Sequence, residues 1–181
     1  MTQFLNSKGI KHQLSCPYTP EQNGLAERKH RHLIETTITL LQNAILPSGF
    51  WSYAVQTACF LINRMPSAVL NFKSPFEVIF QTIPSVTHLR IFGCACFPLL
   101  KPYIQNKLQP KSSMCVFLGY ASKYKGYLCY DVSNKRLYIS RHVVFIEHVF
   151  PYKDLIPSPV LSSLSPTPPP HLFFLLSILI M

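Results

Sequence analysis

Apolar positions change their period along this chain near residue 84. Before it they recur every three or four residues, the spacing of a helix with one buried face. After it they form short alternating or β-branched runs, the spacing of strands. Residues 1–18 read as a strand tail and loop, with weak alternation from Ile10 to Leu14 interrupted by Pro17. Thr19-Pro20-Glu21-Gln22 fits a capping box with Pro in the first turn. Gly24 weakens that turn, so the helix starts either there or near Asn23. Ala26, Leu33, Ile34, Thr37, Ile38 and Leu41 form its apolar side, and Glu27, Arg28, Arg31 and Glu35 the opposite one. The helix should stop before Pro47.

Ser48-Gly49 opens a second helix running to about residue 64, with Trp51, Ala54, Val55, Ala58, Leu61 and Ile62 on its buried side. Ser74-Pro75-Phe76-Glu77 is a second capping box, predicting a short helix to about Gln81. Strands are predicted at 89–97, 114–120, 126–131, 136–139 and 143–146, with a hairpin connection at 131–135. Short strands this close together suggest a small barrel. The boundary between the helical and strand-rich parts falls within residues 81–88. Residues 157–170 carry six prolines and several serines, the composition of a linker or disordered tail. The apolar run 172–181 is shorter than the ~20 residues of a membrane-spanning helix. A membrane-associated reading through Phe173–Met181 is therefore the least favoured.

Charge sharpens the picture. Only 13% of residues are charged, yet 17 are Lys or Arg against 7 Asp or Glu, a net of +10. Nine basic residues lie between Lys101 and Lys153, opposed by Asp131 and Glu147 alone. Such a balance points to a polyanionic partner, because Lys and Arg displace counterions from phosphate. Tyr120, Tyr124, Tyr127 and Tyr130 interleave with Lys123, Lys125 and Lys135, so base stacking beside phosphate contact is available. The competing reading makes those tyrosines barrel core and rim. The chain opens on a polar stretch without a signal peptide, so its six cysteines are expected as free thiols in a reducing compartment. Cys94-Ala95-Cys96 has the wrong spacing for a zinc knuckle; in a strand these two thiols share a face.

Periodicity alone makes Glu27 a solvated helix residue that could pair with Arg31 one turn on. Its surroundings say more. The run Pro17-Tyr18-Thr19-Pro20-Glu21-Gln22-Asn23-Gly24-Leu25-Ala26-Glu27-Arg28 resembles the integrase of Ty1/copia-type LTR retrotransposons. The resemblance continues through Leu46-Pro47-Ser48-Gly49-Phe50-Trp51, Ala58-Cys59-Phe60-Leu61-Ile62-Asn63-Arg64 and Leu89-Arg90-Ile91-Phe92-Gly93-Cys94. Phe117-Leu118-Gly119-Tyr120 and Lys125-Gly126-Tyr127 resemble the SH3-like module that follows the integrase core.

The resemblance implies an α+β chain in three parts. Residues 1–84 would be a truncated RNase H-like core contributing mainly helices, 85–153 an SH3-like β-barrel, and 154–181 the Pro/Ser linker and apolar tail. In such a core two aspartates and a glutamate hold two Mg2+ or Mn2+ ions, hard cations that activate the attacking oxygen and stabilise the leaving one. Glu27 stands at the glutamate position, as catalytic residue and metal ligand. Asn23 and Gly24 match the loop beside that site, and Arg28, His30 and Arg31 the face toward DNA; the family more often has Asn at the His30 position. Lys123, Lys125, Lys135 and Arg136 would continue the nucleic-acid surface on the SH3-like part.

The first Asp of the chain is Asp131, so neither aspartate precedes Glu27, and the family's zinc module is not here either. One carboxylate cannot assemble a two-metal site. The expectation is an integrase fragment without strand-transfer activity alone that keeps nucleic-acid binding. Its partners would be DNA and an integrase oligomer rather than a small molecule, and its location the nucleus. The alternative is a non-enzymatic SH3-like module that binds DNA, RNA or protein. With most of the core's sheet missing, the helical half should be marginal, or expose Trp51, Phe60 and Leu61.

Overall fold

The computed structural model describes residues 2–7, 9, 11, 16, 18–103, 108, 110–122 and 124–155. The Pro/Ser-rich and apolar tail lies outside these residues, as does Lys123. Compact packing divides the chain after His32.

In the first unit, helix α1 spans Thr2–Ser7, where the sequence predicts a strand tail. Ser7 Oγ closes its last turn on the Phe4 carbonyl at 2.8 Å. A 3₁₀ turn, Pro20–Asn23, leads into helix α2, Gly24–Ala44. The first capping box does not form. Thr19 Oγ1 donates backward to the Cys16 carbonyl at 2.7 Å instead of accepting from the helix. Gln22 Oε1 accepts from Cys16 N at 3.1 Å. Both side chains are spent bracing the loop before the helix, so the regular α-helix starts at Gly24.

The second unit begins where α2 acquires its buried stripe: Leu33, Thr37, Leu41 and Ala44, spaced at three and four residues. Ala26, expected on that stripe, is exposed, as is Leu25. The helix ends in a Schellman motif, with Leu46 N donating to Leu41 O and Ile45 N to Gln42 O. Ile45 takes the left-handed conformation (φ 52°) usually left to glycine. A 3₁₀ turn at Ser48–Phe50 opens α3, Trp51–Ile62. The second helix start is capped at the predicted residue: Ser74 Oγ accepts from Glu77 N at 3.1 Å and starts α4, Pro75–Phe80.

Five strands follow: β1 (Ala95–Pro98), β2 (Cys115–Tyr120), β3 (Tyr127–Asp131), β4 (Arg136–Ser140) and β5 (Val143–Ile146). They pair antiparallel in the order β4-β3-β2-β1-β5. A short helix α5, Pro151–Leu155, comes after them. Chain geometry requires this sheet to curl. β4 and β5 are its opposite edges, about 19 Å apart if five strands lay flat, yet Ser140 and Val143 are three residues apart, a reach of roughly 11 Å. The first strand begins later than predicted, at Ala95, because Gly93 turns the chain with φ 81°. A Cβ at Gly93 would collide with Ala44, so the close approach of α2 also demands glycine there.

β2 explains how the halves share a core. Its residues 115–119 are all buried, and alternation sends them to two sides. Val116 and Leu118 join Leu33, Leu41, Trp51, Val55 and Phe92 in a helix-facing cluster. Cys115 and Phe117 join Cys94, Cys96, Leu100, Cys129 and Tyr138 on the concave side. The helices thus find a sheet surface after all, and Trp51 is buried where exposure was expected; Phe60 and Leu61 are half-buried. Trp51 Nε1 has no hydrogen-bond partner among the described residues.

Candidate nucleic-acid interface

Asn23, Gly24, Glu27, Arg28, His30 and Arg31 all lie in the last 3₁₀ residue and first two turns of α2. Successive residues are turned by about 100°, so the cluster wraps the axis rather than forming one face. Asn23, Glu27, Arg28 and Arg31 are exposed, while Gly24 and His30 are half-buried. Glu27 forms no ion pair with Arg31 among the described residues. Nor do the described residues contain a group of three or more Asp, Glu, His or Cys able to hold a metal ion. A lone exposed carboxylate does not fit a two-metal site, which needs several oxygen ligands around each ion.

In the second unit, strand register decides which basic residues meet. β3 pairs with β4 so that Tyr127 opposes Ser140 and Asp131 opposes Arg136. Lys125, just before β3, is therefore brought beside Arg141, just after β4. Lys135 and Arg136 sit at the far end of the hairpin, roughly 14 Å away along four strand steps. Arg136 lies over the Tyr138 and Tyr103 rings, 5.3 and 5.7 Å from their centroids, with its charge still exposed. Lys135 caps the turn with φ 50°.

The two acidic residues of this stretch both have partners, Asp131 in the interior and Glu147 in a partly exposed ion pair. Asp131 is buried and accepts from Asn134 N (3.0 Å), Asn134 Nδ2 (2.9 Å) and Ser113 Oγ (3.2 Å). Burial pushes its pKa up, but these hydrogen bonds outweigh burial and hold it below the ordinary value. Glu147 pairs with Arg90 at 3.5 Å. Lys125, Lys135, Arg136 and Arg141 are left exposed on the surface, with no ion pair among the described residues.

A cleft of about 550 Å³ adjoins Lys125 and Arg141. Its aromatic wall is a column: the Arg64 guanidinium lies 3.4 Å above the Phe60 ring, and Phe60 stacks on Tyr120 at 4.1 Å. His88 meets both rings edge-on. Two hydrogen bonds hold the 88–90 segment against this wall. Arg90 N donates to Tyr120 Oη at 3.0 Å, and Tyr127 Oη donates to the His88 carbonyl at 3.3 Å. Tyr124 stands at the rim, 69% exposed. Sequence reading found Lys125 and the tyrosines but missed Arg64, His88 and Arg141 as neighbours. Arg64 follows α3 and Arg141 follows β4, so only the tertiary fold joins them.

The four cysteines clustered at the sheet are poorly placed to react. Cys94, Cys96, Cys115 and Cys129 are free and fully buried on the concave side of the sheet. Burial pushes the Cys94 thiol up to about 12 and the Cys115 thiol up to about 11. A hydrogen bond with Cys129, together with burial, raises Cys96 further still. As predicted, Cys94 and Cys96 pack together, and they stay neutral thiols.

Residues 94–159 match the retroviral polymerase SH3-like domain. The chain is 50% identical over 154 residues to the retrovirus-related Pol polyprotein from transposon RE1 of Arabidopsis thaliana, covering 85% of this chain and 10% of that protein. It is 47% identical over 152 residues to the corresponding polyprotein from transposon RE2 of the same plant, covering 84% and 10%. For transposon TNT 1-94 of Nicotiana tabacum the identity is 42% over 145 residues, covering 80% and 11%. The chain therefore spans about a tenth of the length of these three polyproteins. Shared identity over most of its residues, and an SH3-like match over the curled sheet, make the chain a homologue of a segment of the retrovirus-related Pol polyproteins of copia-type transposons.

Proposed function

We propose that this chain corresponds to the segment of a transposon integrase that joins the end of the catalytic core to the SH3-like domain, and that its own activity is nucleic-acid binding. The observation that carries this is the uncompensated charge of the strand-rich part. Asp131 is buried and hydrogen-bonded and Glu147 is engaged by Arg90 in a partly exposed ion pair, so Lys125, Lys135, Arg136 and Arg141 face outward unopposed. Such a surface is suited to phosphate. Arg28, His30 and Arg31, with Asn23 and Gly24, would add a second DNA contact on the first unit.

Glu27 contributes to strand transfer only where two further carboxylates and Mg2+ or Mn2+ complete the site. The chain alone is therefore a binder and not a catalyst. Residues 69–86 favour an additional protein contact, as expected of an integrase oligomer working on DNA in the nucleus. There Val69, Phe72, Phe80 and Ile83 are 62–88% exposed, a concentration of large apolar side chains along one stretch of chain that a protein contact would cover. Among the described residues no helix is long and apolar enough to cross a membrane.

Fluorescence anisotropy of labelled DNA across a salt series tests the reading. Affinity should fall linearly on a log–log plot, and Lys135→Gln or Arg136→Gln should each reduce the slope by about 1. Glu27→Gln should leave binding unchanged, with no strand transfer in either protein. Salt-independent binding, or transfer that Glu27→Gln abolishes, would refute it.

A further inference from the structure

We propose that the cleft between the C-terminal end of α3 and the β2–β3 hairpin holds one unpaired nucleotide of a single-stranded nucleic acid, its base on the Tyr124 ring at the rim and its phosphate on the cations. The proposal rests on the nucleic-acid reading above and names the form of polymer recognised.

Charge is the first argument. Arg64, Lys125 and Arg141 converge on one concavity, and no carboxylate lies among its described lining residues. The fold registers the crowding at His88. Burial, then Arg64, Arg90 and Lys125 in turn, push its pKa below the ordinary value. Gathering like charges without a counter-charge opposes folding. A bound phosphate would reverse that opposition. Surface lysines scattered on a duplex-binding face would not need to meet in a pocket.

Shape and aromatic content form the second argument. Phe60 already uses both faces, between Arg64 and Tyr120. Tyr124, at the rim, keeps its ring in solvent. Such a ring beside a basic pocket is the platform on which an exposed base stacks. A cavity of about 550 Å³ is of small-ligand size. A paired base cannot enter a walled cleft, because it would first have to leave its own stack. The pocket therefore discriminates between single strand and duplex, which exposed cations at Lys135 and Arg136 cannot.

The test uses the whole chain and two variants at exposed positions, Tyr124→Ala and Lys125→Gln, with unchanged thermal melts confirming the fold. Anisotropy is read with a labelled oligothymidylate and with a labelled duplex. Tyr124→Ala should weaken single-strand binding about tenfold and leave duplex binding unchanged. Thymidine 5′-monophosphate should shift the Tyr124 ring resonances, while inorganic phosphate shifts those of His88 without them. Equal losses on single strand and duplex, or no loss on either, overturn the cleft assignment and leave general nucleic-acid binding standing. A phosphotyrosine peptide that fills the cleft while oligothymidylate does not also overturns it. Absence of binding to both forms at low salt overturns this proposal and the wider reading together.

Discussion

Gly119→Ala is the sharpest test of how α3 and the sheet hold each other. Gly119 has φ 116° and sits where the β2–β3 register slips, between the pairs Phe117–Cys129 and Gly119–Leu128. The extra residue makes a β-bulge, and the backbone there adopts a conformation that side chains resist. A Cβ would also run into Thr57 Oγ1 on the face of α3. Backbone strain of this kind costs about 1–3 kcal/mol, and overpacking about 1–3 kcal/mol more. The substitution should therefore remove about 2–6 kcal/mol, a large share of the 5–15 kcal/mol typical of a domain. Thr57→Ala alone should cost only about 1 kcal/mol, since its hydroxyl makes one long bond, 3.5 Å to the Leu118 carbonyl. In the double variant the collision disappears while the strain remains. The two losses should then fall short of their sum by about 1–3 kcal/mol. Urea unfolding, followed by Trp51 fluorescence for the helices and far-ultraviolet circular dichroism for the whole chain, measures each. Strictly additive losses, or Trp51 reporting no change when Gly119 is replaced, would refute the claim that α3 and β2 form one packed unit.

Two further outcomes follow from buried and crowded ionisable groups. Asp131→Ala removes the acceptor for three hydrogen bonds at the β3–β4 turn, and should cost about 2–4 kcal/mol at neutral pH. Because the folded pKa of Asp131 lies below its unfolded value, its contribution is present above about pH 4 and fades as pH falls through the folded value. The variant should therefore lose part of the acid dependence of chemical denaturation, and an unchanged acid limb would refute it. His88 has the opposite chemistry: its folded pKa is also lowered, but here the neutral form is favoured. The unfolded chain then binds more protons below the ordinary histidine value of about 6.5. Stability should fall as pH drops through that region, and His88→Gln should flatten the fall; an NMR titration placing His88 at or above 6.5 would contradict the crowding.

The elements were legible wherever their causes are local. Ser74 and Glu77 specify a helix start through contacts three residues apart, and Asp131 with Asn134 specifies a turn in the same way. Thr19 failed as a cap because Cys16, in the loop before it, competes for the same side chains. The start of β1 was misread because apolar residues from Leu89 to Cys94 look like strand, while Gly93 turns to let Ala44 approach. That approach is set by a helix 49 positions away in sequence, and no window of local pattern contains it. Glu27 shows the limit from the other side. Its motif is specific, yet what the residue can do depends on carboxylates that no other described residue supplies beside it.

The deeper misreading concerned which sheet the helices need. A catalytic-core segment was expected to leave its apolar face bare without the strands of its own core. The structure resolves this through the composition of β2. A strand with one solvated face alternates apolar and polar residues, whereas Cys115-Val116-Phe117-Leu118 is apolar throughout, the pattern of burial on both faces. One face fills the curled sheet, so the other must have a cover, and α3 with the end of α2 provides it. The SH3-like match begins at residue 94, yet Val116, Leu118 and Leu128 are kept from water by residues before that point. The same contact builds the cleft, since Phe60 lies in α3 and Arg64 just after it, while Tyr120 and Lys125 belong to the hairpin. The proposed nucleotide site thus draws its residues from the seam between the helical and strand-rich parts, and neither sequence half contains it alone.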